Sequence, residues 1–236
     1  KKHINKTEIS DIDCLIHLAG YVKESRDIND AKELIEANVF GTANILRSLP
    51  NLSSVVFASS CSVYGGEKDQ FDENCLTKPN GYYAASKVAY DMYLMSVYKF
   101  LNFPMNIIRP CNCYCPAQLL HRVIPKTIWC GLTGNKLPLH GGGKAEKSYM
   151  HARDLGKAIH LVSENAPLGK VYNVGPEEPT SIKEVVERVS KAMQIPFEDI
   201  CEMSEDRLGQ DSRYWLDSSS IKKDLGWVQE IGWDEG

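Results

Sequence analysis

The chain has 236 residues, 43% of them hydrophobic, and a formal net charge of −4. That is enough apolar material for one large domain or two modest ones, and it excludes a disordered chain. Lysines and arginines are dispersed rather than run together, which argues against a general nucleic-acid or membrane-surface binder but leaves room for a local site for a small anion.

No stretch approaches the ~18 consecutive apolar residues of a membrane span, and the basic start KKHINKTEIS has no apolar run behind it. The expectation is a soluble, cytoplasmic protein. Its eight cysteines are too few for a small disulfide scaffold, so reduced thiols are expected.

IDCLIHLAG (12–20) is a short apolar run closed by glycine, as expected for a central strand buried on both faces of a parallel sheet. In DINDAKELIEANVFGTANILRSL, Asp and Asn are cap candidates, and Leu34, Ile35, Val39, Thr42, Ile45 and Leu46 form a helical stripe. SSVVFASS (53–60) is the next buried strand. A turn-rich stretch from Cys61 to Asn80 leads into GYYAASKVAYDMYLMSVYKFL, where helical spacing resumes, and FPMNIIRP gives a third strand stopped by Pro110. The alternation predicts a doubly wound α/β domain on a parallel sheet.

Beyond Cys111 come loops, a helix near 121–132, a short strand KLPLH, the triplet Gly141 to Gly143 and a helix from about His151 to Asn165. GKVYNVG then reads as a strand and TSIKEVVERVSKAM as a helix capped by Thr180 or Ser181. These elements predict a second, smaller α/β layer.

Tyr83 and Lys87 lie four apart on a predicted helix, so both side chains project from one face. A tyrosine titrates near ~10, and an ammonium close by stabilises the phenolate, making it a usable base near neutral pH. The spacing alone is common. Read in order, however, HLAG, NVFGT, FASSCSVYG, YYAASK, IRPCNCYCP, KLPLHGGGKAEKSYMHARDLGKAI, YNVG and DRLGQDSRYWLDSSSIKKDLGW resemble the extended short-chain dehydrogenase/reductase family, the group of NAD-dependent nucleotide-sugar epimerases and dehydratases.

The resemblance implies roles residue by residue. Tyr83 would take the proton from the sugar C4 hydroxyl, Lys87 would lower the Tyr83 pKa and bind the nicotinamide ribose, and Ser60 would hydrogen-bond the same hydroxyl. Ala19, Gly20, Asn38, Tyr83, Lys87 and Pro110 are the implied NAD-binding positions, with Asn38 either supporting the lysine or purely structural. His17 reads as a packed core histidine. For a UDP- or dTDP-hexose, Asn112, Lys147 and Arg207 match phosphate-binding positions, and His140 stands where an aromatic often stacks near the base. Cys61 and Ser62 fall in the sugar pocket. Arg122, Lys126 and Arg213 read as solvated charges.

The resemblance departs at the start, because strand, Gly-rich turn and helix should precede the matching point by roughly 60 residues. The expected fold is therefore a Rossmann-like doubly wound sheet lacking its first strands (1–115, a partial NAD-binding domain) with a smaller α/β nucleotide-sugar-binding domain (116–236). The chain is then a fragment of a longer protein or a natural truncation.

In 4,6-dehydratases of this family an Asp-Glu pair follows the Ser/Thr, whereas here Cys61 and Ser62 follow Ser60. This favours a C4 epimerase working through a 4-keto intermediate. A 4,6-dehydratase or decarboxylase, suggested by the tail, and a non-catalytic nucleotide-sugar-binding protein remain the alternatives. A homodimer through the Tyr83 helix is permitted by Met92, Leu94, Met95 and Val97. Cys111, Cys113 and Cys115 lack a partner pair for zinc. Cys115 replaces the family's glycine and would be strained if its φ were positive.

Overall fold

The computed structural model describes residues 12–23, 27–49, 52–66, 69–205 and 213–236. Strand β1 (Cys14–His17) is followed by α1 (Ile28–Ile35), a π-helical turn over Glu36–Phe40 and α2 (Gly41–Ser48). Asp27 starts α1 by accepting a hydrogen bond from the Asn29 amide. Strand β2 (Ser54–Ala58) runs into a 3₁₀ turn over Cys61–Tyr64, and α3 (Tyr82–Leu101) returns to β3 (Met105–Pro110).

The chain continues through β4 (Asn112–Tyr114), α4 (Val123–Thr133), β5 (Leu137–His140), β6 (Glu146–Lys147), β7 (Tyr149–His151) and α5 (Ala152–Asn165). Then come β8 (Val171–Val174), β9 (Thr180–Ser181), α6 (Ile182–Met193), α7 (Phe197–Ile200), β10 (Cys201–Ser204), β11 (Arg213–Tyr214) and α8 (Ser219–Leu225). Of the two cap candidates for α6, Ser181 is the one used, accepting from the Glu184 amide at 3.1 Å.

The main sheet has the order β1-β2-β3-β8 and is parallel throughout. Successive side chains of a strand point to opposite faces, and β2 and β3 use this to build two cores. Val55, Phe57, Met105 and Ile107 pack with Leu46, Tyr90 and Leu94 of α2 and α3. Val56 and Ile108 face the other way, toward Ala158, Ile159 and Val162 of α5, Ile221 of α8, and Trp227. Helices on both faces make the sheet doubly wound, as the alternation predicts.

The run at 12–20 forms β1, which pairs with β2 among the described residues and leaves Ile16 45% exposed. Two sequence expectations are corrected. GKVYNVG does not join the second layer: Ile107 to Pro110 pair with Val171 to Val174, so the sheet takes its fourth strand from beyond residue 115 and the two halves share a core. Leu94 is fully buried in the chain's own core, while Met92 on the same helix is exposed. Beside the main sheet, the described residues form three small ones, β4-β7, β10-β5 and β11-β6-β9. No helix among the described residues is long and apolar enough to cross a membrane.

Candidate active site

The C-terminal ends of β1, β2 and β3 lie at one edge of the sheet, where chain segments leave the strands and ligands of open α/β sheets gather. From the end of β2 the backbone stays extended through Ser60 (φ −161°, ψ 150°), which caps the 3₁₀ turn. The Ser60 Oγ accepts from the Ser62 amide at 3.2 Å and from the Ser62 hydroxyl at 2.9 Å.

Tyr83, in the first turn of α3, is half-buried, with Ser60 against its phenol. Burial pushes the Tyr83 phenol up from its ordinary value, opposed first by the Ser60 hydrogen bond and then by the positive charge of Arg122. Lys87, one turn on, is buried and donates to the Ala58 carbonyl at 2.7 Å, with its ammonium 4.4 Å from the centre of the Tyr90 ring. Burial holds it down to about 8, with Asp91 acting against that.

The structure thus brings Ser60 to Tyr83, whereas Lys87 is hydrogen-bonded to the end of β2 rather than to the phenol. The phenol is raised rather than lowered, because desolvation outweighs the Ser60 hydrogen bond and the Arg122 charge.

Gly20 sits directly above this lysine, and a Cβ there would meet Lys87 Nζ and Asn38 Oδ1 at 3.5 Å each. Asn38 lies in the π-helical turn, a local geometry frequent at functional sites. Its Oδ1 accepts from the Tyr21 amide (2.8 Å), and its Nδ2 donates to the Tyr21 carbonyl (3.1 Å) and to Ser86 Oγ (2.9 Å). Asn38 therefore ties the loop after β1 to α3 and makes no bond to Lys87. His17 is buried edge-on to Phe57 with Nε2 3.1 Å from Thr42 Oγ1, and burial and the Lys87 charge lower its pKa. It is a packed, neutral histidine. Ala19 is exposed in the same loop, and Pro110 ends β3 opposite Val174.

On the other side of the crest, β4 pairs in parallel with β7. Asn112 Nδ2 reaches the Ser148 carbonyl at 3.4 Å, next to Lys147, whose buried ammonium is 4.0 Å from the centre of the Tyr214 ring. The Lys147 charge acts on Cys61, but burial dominates and pushes that thiol up to about 11, so it is neutral. His140 is held at the end of β5 by the Glu205 carbonyl (3.1 Å) and Ser204 Oγ (3.3 Å) of the β10 segment. Arg207 lies outside the described residues.

The thiol hydrogens of Cys111 and Cys113 point to the Asn112 and Cys111 carbonyls at 3.7 Å, and among the described residues no cluster of three metal-ligating side chains is assembled. Cys115 is not in the positive-φ region. The left-handed residue of this loop is Ala117 (φ 65°), two positions on, so the strain expected at the cysteine falls on the alanine.

Two charges were passed over in the sequence. Arg122 is exposed, as expected of a solvated cation, but it stands at the N-terminus of α4 and its charge still reaches both Tyr83 and Tyr149. Asp91 is one turn beyond Lys87 and 1% exposed, a carboxylate on a core-facing stripe. It pairs with Arg109 Nε at 2.9 Å, and Arg109 also donates to the Tyr64 hydroxyl at 2.7 Å. The i, i+4 spacing of Asp91 from Lys87 is a signal that could have revealed it.

A parallel, doubly wound sheet carrying a serine, a tyrosine and a buried lysine at its crest defines a nucleotide-dependent α/β enzyme class. The chain belongs to the NAD dependent epimerase/dehydratase family, whose model matches residues 3–175. It is 30% identical over 237 residues to a mouse dTDP-D-glucose 4,6-dehydratase, covering 97% of this chain and 66% of that protein. It is 28% identical to an Arabidopsis thaliana trifunctional UDP-glucose 4,6-dehydratase/3,5-epimerase/reductase, covering 96% of this chain and 35% of that protein.

Among solved structures it is similar to the dTDP-glucose 4,6-dehydratase DesIV of Streptomyces venezuelae, solved with NAD and TYD bound (TM-score 0.90, 28% identity, 98% of this chain and 72% of that one). A Thermotoga maritima UDP-glucose 4-epimerase shares the fold at TM-score 0.89 and 20% identity, with 98% of this chain and 77% of that one covered. The chain spans about a third of the length of the trifunctional relatives it matches.

Proposed function

We propose that this chain carries the catalytic portion of an NAD-dependent enzyme that oxidises a nucleoside-diphosphate hexose at C4 and returns it as the C4 epimer. The observation that carries the reading is the Ser60–Tyr83 hydroxyl pair at the crest, with a neutral Cys61 thiol immediately after Ser60. Tyr83 takes the proton of the C4 hydroxyl while Ser60 holds that oxygen in line. The Ser60 hydrogen bond and the Arg122 charge oppose the desolvation of the phenolate.

NAD, when bound, would supply a hydride acceptor for C4. The residues fit it: a backbone glycine lies over Lys87, and that ammonium has the Ala58 carbonyl as its hydrogen-bond acceptor and no carboxylate at ion-pair distance among the described residues. Lys87 and the Ala19–Gly20 backbone would hold the nicotinamide ribose. Asn112, Lys147 and Arg122 would hold the diphosphate, with Lys147 giving up bidentate geometry while keeping the charge. The sheet and its β8 strand would act as the NAD-binding unit, and the small sheets as the nucleotide-sugar unit.

The second reading is a 4,6-dehydratase, favoured by the 30% identity with the mouse dTDP-D-glucose 4,6-dehydratase. Elimination needs an acid for the C6 hydroxyl and a base for the C5 proton, each worth about 10²- to 10⁴-fold. A thiol raised to about 11 and a serine hydroxyl supply neither well near pH 7.

The test incubates the full-length protein with NAD and UDP-glucose or dTDP-glucose and identifies the product by proton NMR. A C4 epimer supports the first reading. A 4-keto-6-deoxy sugar replaces it with the second.

A further inference from the structure

We propose that Ser62 is a positioning residue whose amide and hydroxyl together occupy both lone pairs of the Ser60 oxygen, so that the single Ser60 proton is committed outward to the Tyr83 oxygen. The inference rests on the reading of Tyr83 as the base. A serine oxygen has one proton to give and two lone pairs to receive. The Ser62 N–H takes one lone pair at 3.2 Å and the Ser62 O–H the second at 2.9 Å. The 3₁₀ turn makes this possible by curling residue 62 back over its own cap, with Ser60 extended and Cys61 buried beneath. What is left to Ser60 is donation, and two groups stand against it, the Tyr83 phenol and the Cys61 thiol; a thiol sulfur is the weak acceptor of the two, so the phenol oxygen takes the proton.

The direction matters. A donated hydrogen bond favours the phenolate, whereas a Ser60 that accepted from Tyr83 would favour the neutral phenol and oppose its use as a base. Several other charges and titratable groups bear on Tyr83. Cys61 of the 3₁₀ turn and Asp91 of α3 oppose its ionisation, Arg122 of α4 favours it, and Lys87 and Tyr90 lie on its own helix. Replacing Ser62 leaves the side chains of all these groups in place.

The experiment places 3-fluorotyrosine at position 83 of the full-length protein, which brings the phenol into an accessible pH range, and follows its titration by ¹⁹F NMR. Ser62→Ala keeps the amide bond but frees one lone pair of Ser60, and the midpoint is expected to rise by about half a pH unit or more. Ser62→Thr keeps both donors and restores it. In kinetics with a nucleotide sugar, the acid limb of kcat/KM moves by the same amount in the alanine variant, where a merely structural defect lowers the whole profile without moving the limb.

A midpoint that stays put in Ser62→Ala overturns the proposal. So does one that falls, which means that Ser60 had been donating to Ser62, or an equal shift in Ser62→Thr. Absence of turnover with any nucleotide sugar fails the functional reading, while the apo titration still decides the role of Ser62.

Discussion

Replacing Arg109 by methionine should unfold this protein far more readily than its position beside the site suggests. Arg109 and Asp91 form an ion pair at 2.9 Å with side chains 7% and 1% exposed, and the second oxygen of Asp91 already has no hydrogen-bond partner. The pair heads a chain of buried bonds. Arg109 donates to Tyr64, Tyr64 donates to Asn173 Oδ1 (2.8 Å), the Asn173 amide nitrogen of the side chain donates to the Phe71 carbonyl (2.9 Å), and Glu73 accepts from the Asn173 backbone (2.8 Å) and Ser220 (2.9 Å).

Methionine fills most of the volume but leaves the Asp91 charge uncompensated, which costs about 3–5 kcal/mol, whereas removing both charges together is often close to neutral. Arg109→Met with Asp91→Leu should therefore recover most of the loss.

The pH dependence gives a second check. Burial already raises Asp91 above its ordinary value despite Arg109. Without the arginine the carboxyl rises further, so the folded state binds a proton that the unfolded chain releases. The deficit is then largest at pH 8 and shrinks as pH falls toward the raised value. Urea unfolding followed by tryptophan fluorescence at pH 8 and 5.5 measures both effects. A loss under about 1 kcal/mol, or one equal at both pH values and unrelieved in the double variant, refutes the reasoning.

Burial lowers Lys87 from 10.5 to about 8, so the folded state holds this proton more weakly than the unfolded chain, and wild-type stability should rise with pH between those values. Lys87→Met should lack that rise, which amounts to about 3 kcal/mol at most, when both proteins are unfolded in urea at pH 7.5 and 10.5. Ala117→Gly relieves a left-handed alanine and should stabilise by about 0.5–1 kcal/mol in the same assay. Gly65→Ala should destabilise by about 2 kcal/mol or more, because φ is +70° and the added Cβ would stand 2.4 Å from the Lys78 carbonyl oxygen.

Local chemistry made much of this legible in the sequence. The continuous apolar run of β2, the helical spacing around Tyr83 and Lys87, and the serine cap of α6 each depend on a few adjacent residues. Pairings between distant segments did not. Nothing near residue 171 says that its strand will lie beside residues 107–110, since the same apolar run suits either layer.

The left-handed conformation falls on Ala117 rather than on Cys115, and neither residue type announces it. Arg122 looked like any solvated arginine, because its approach to Tyr83 depends on where α4 begins relative to α3. Asp91 was visible as a carboxylate on an apolar stripe, but its partner Arg109 comes from the next strand.

The most direct test of the central claim uses a nucleotide-hexose carrying deuterium at C4, incubated with the full-length protein and NAD and analysed by NMR and mass spectrometry. If the hydride leaves C4 and returns to the other face, the product is the C4 epimer with deuterium still at C4, and Tyr83→Phe loses turnover by about 10²-fold or more. A 4-keto-6-deoxy product with the deuterium moved to C6 would contradict it.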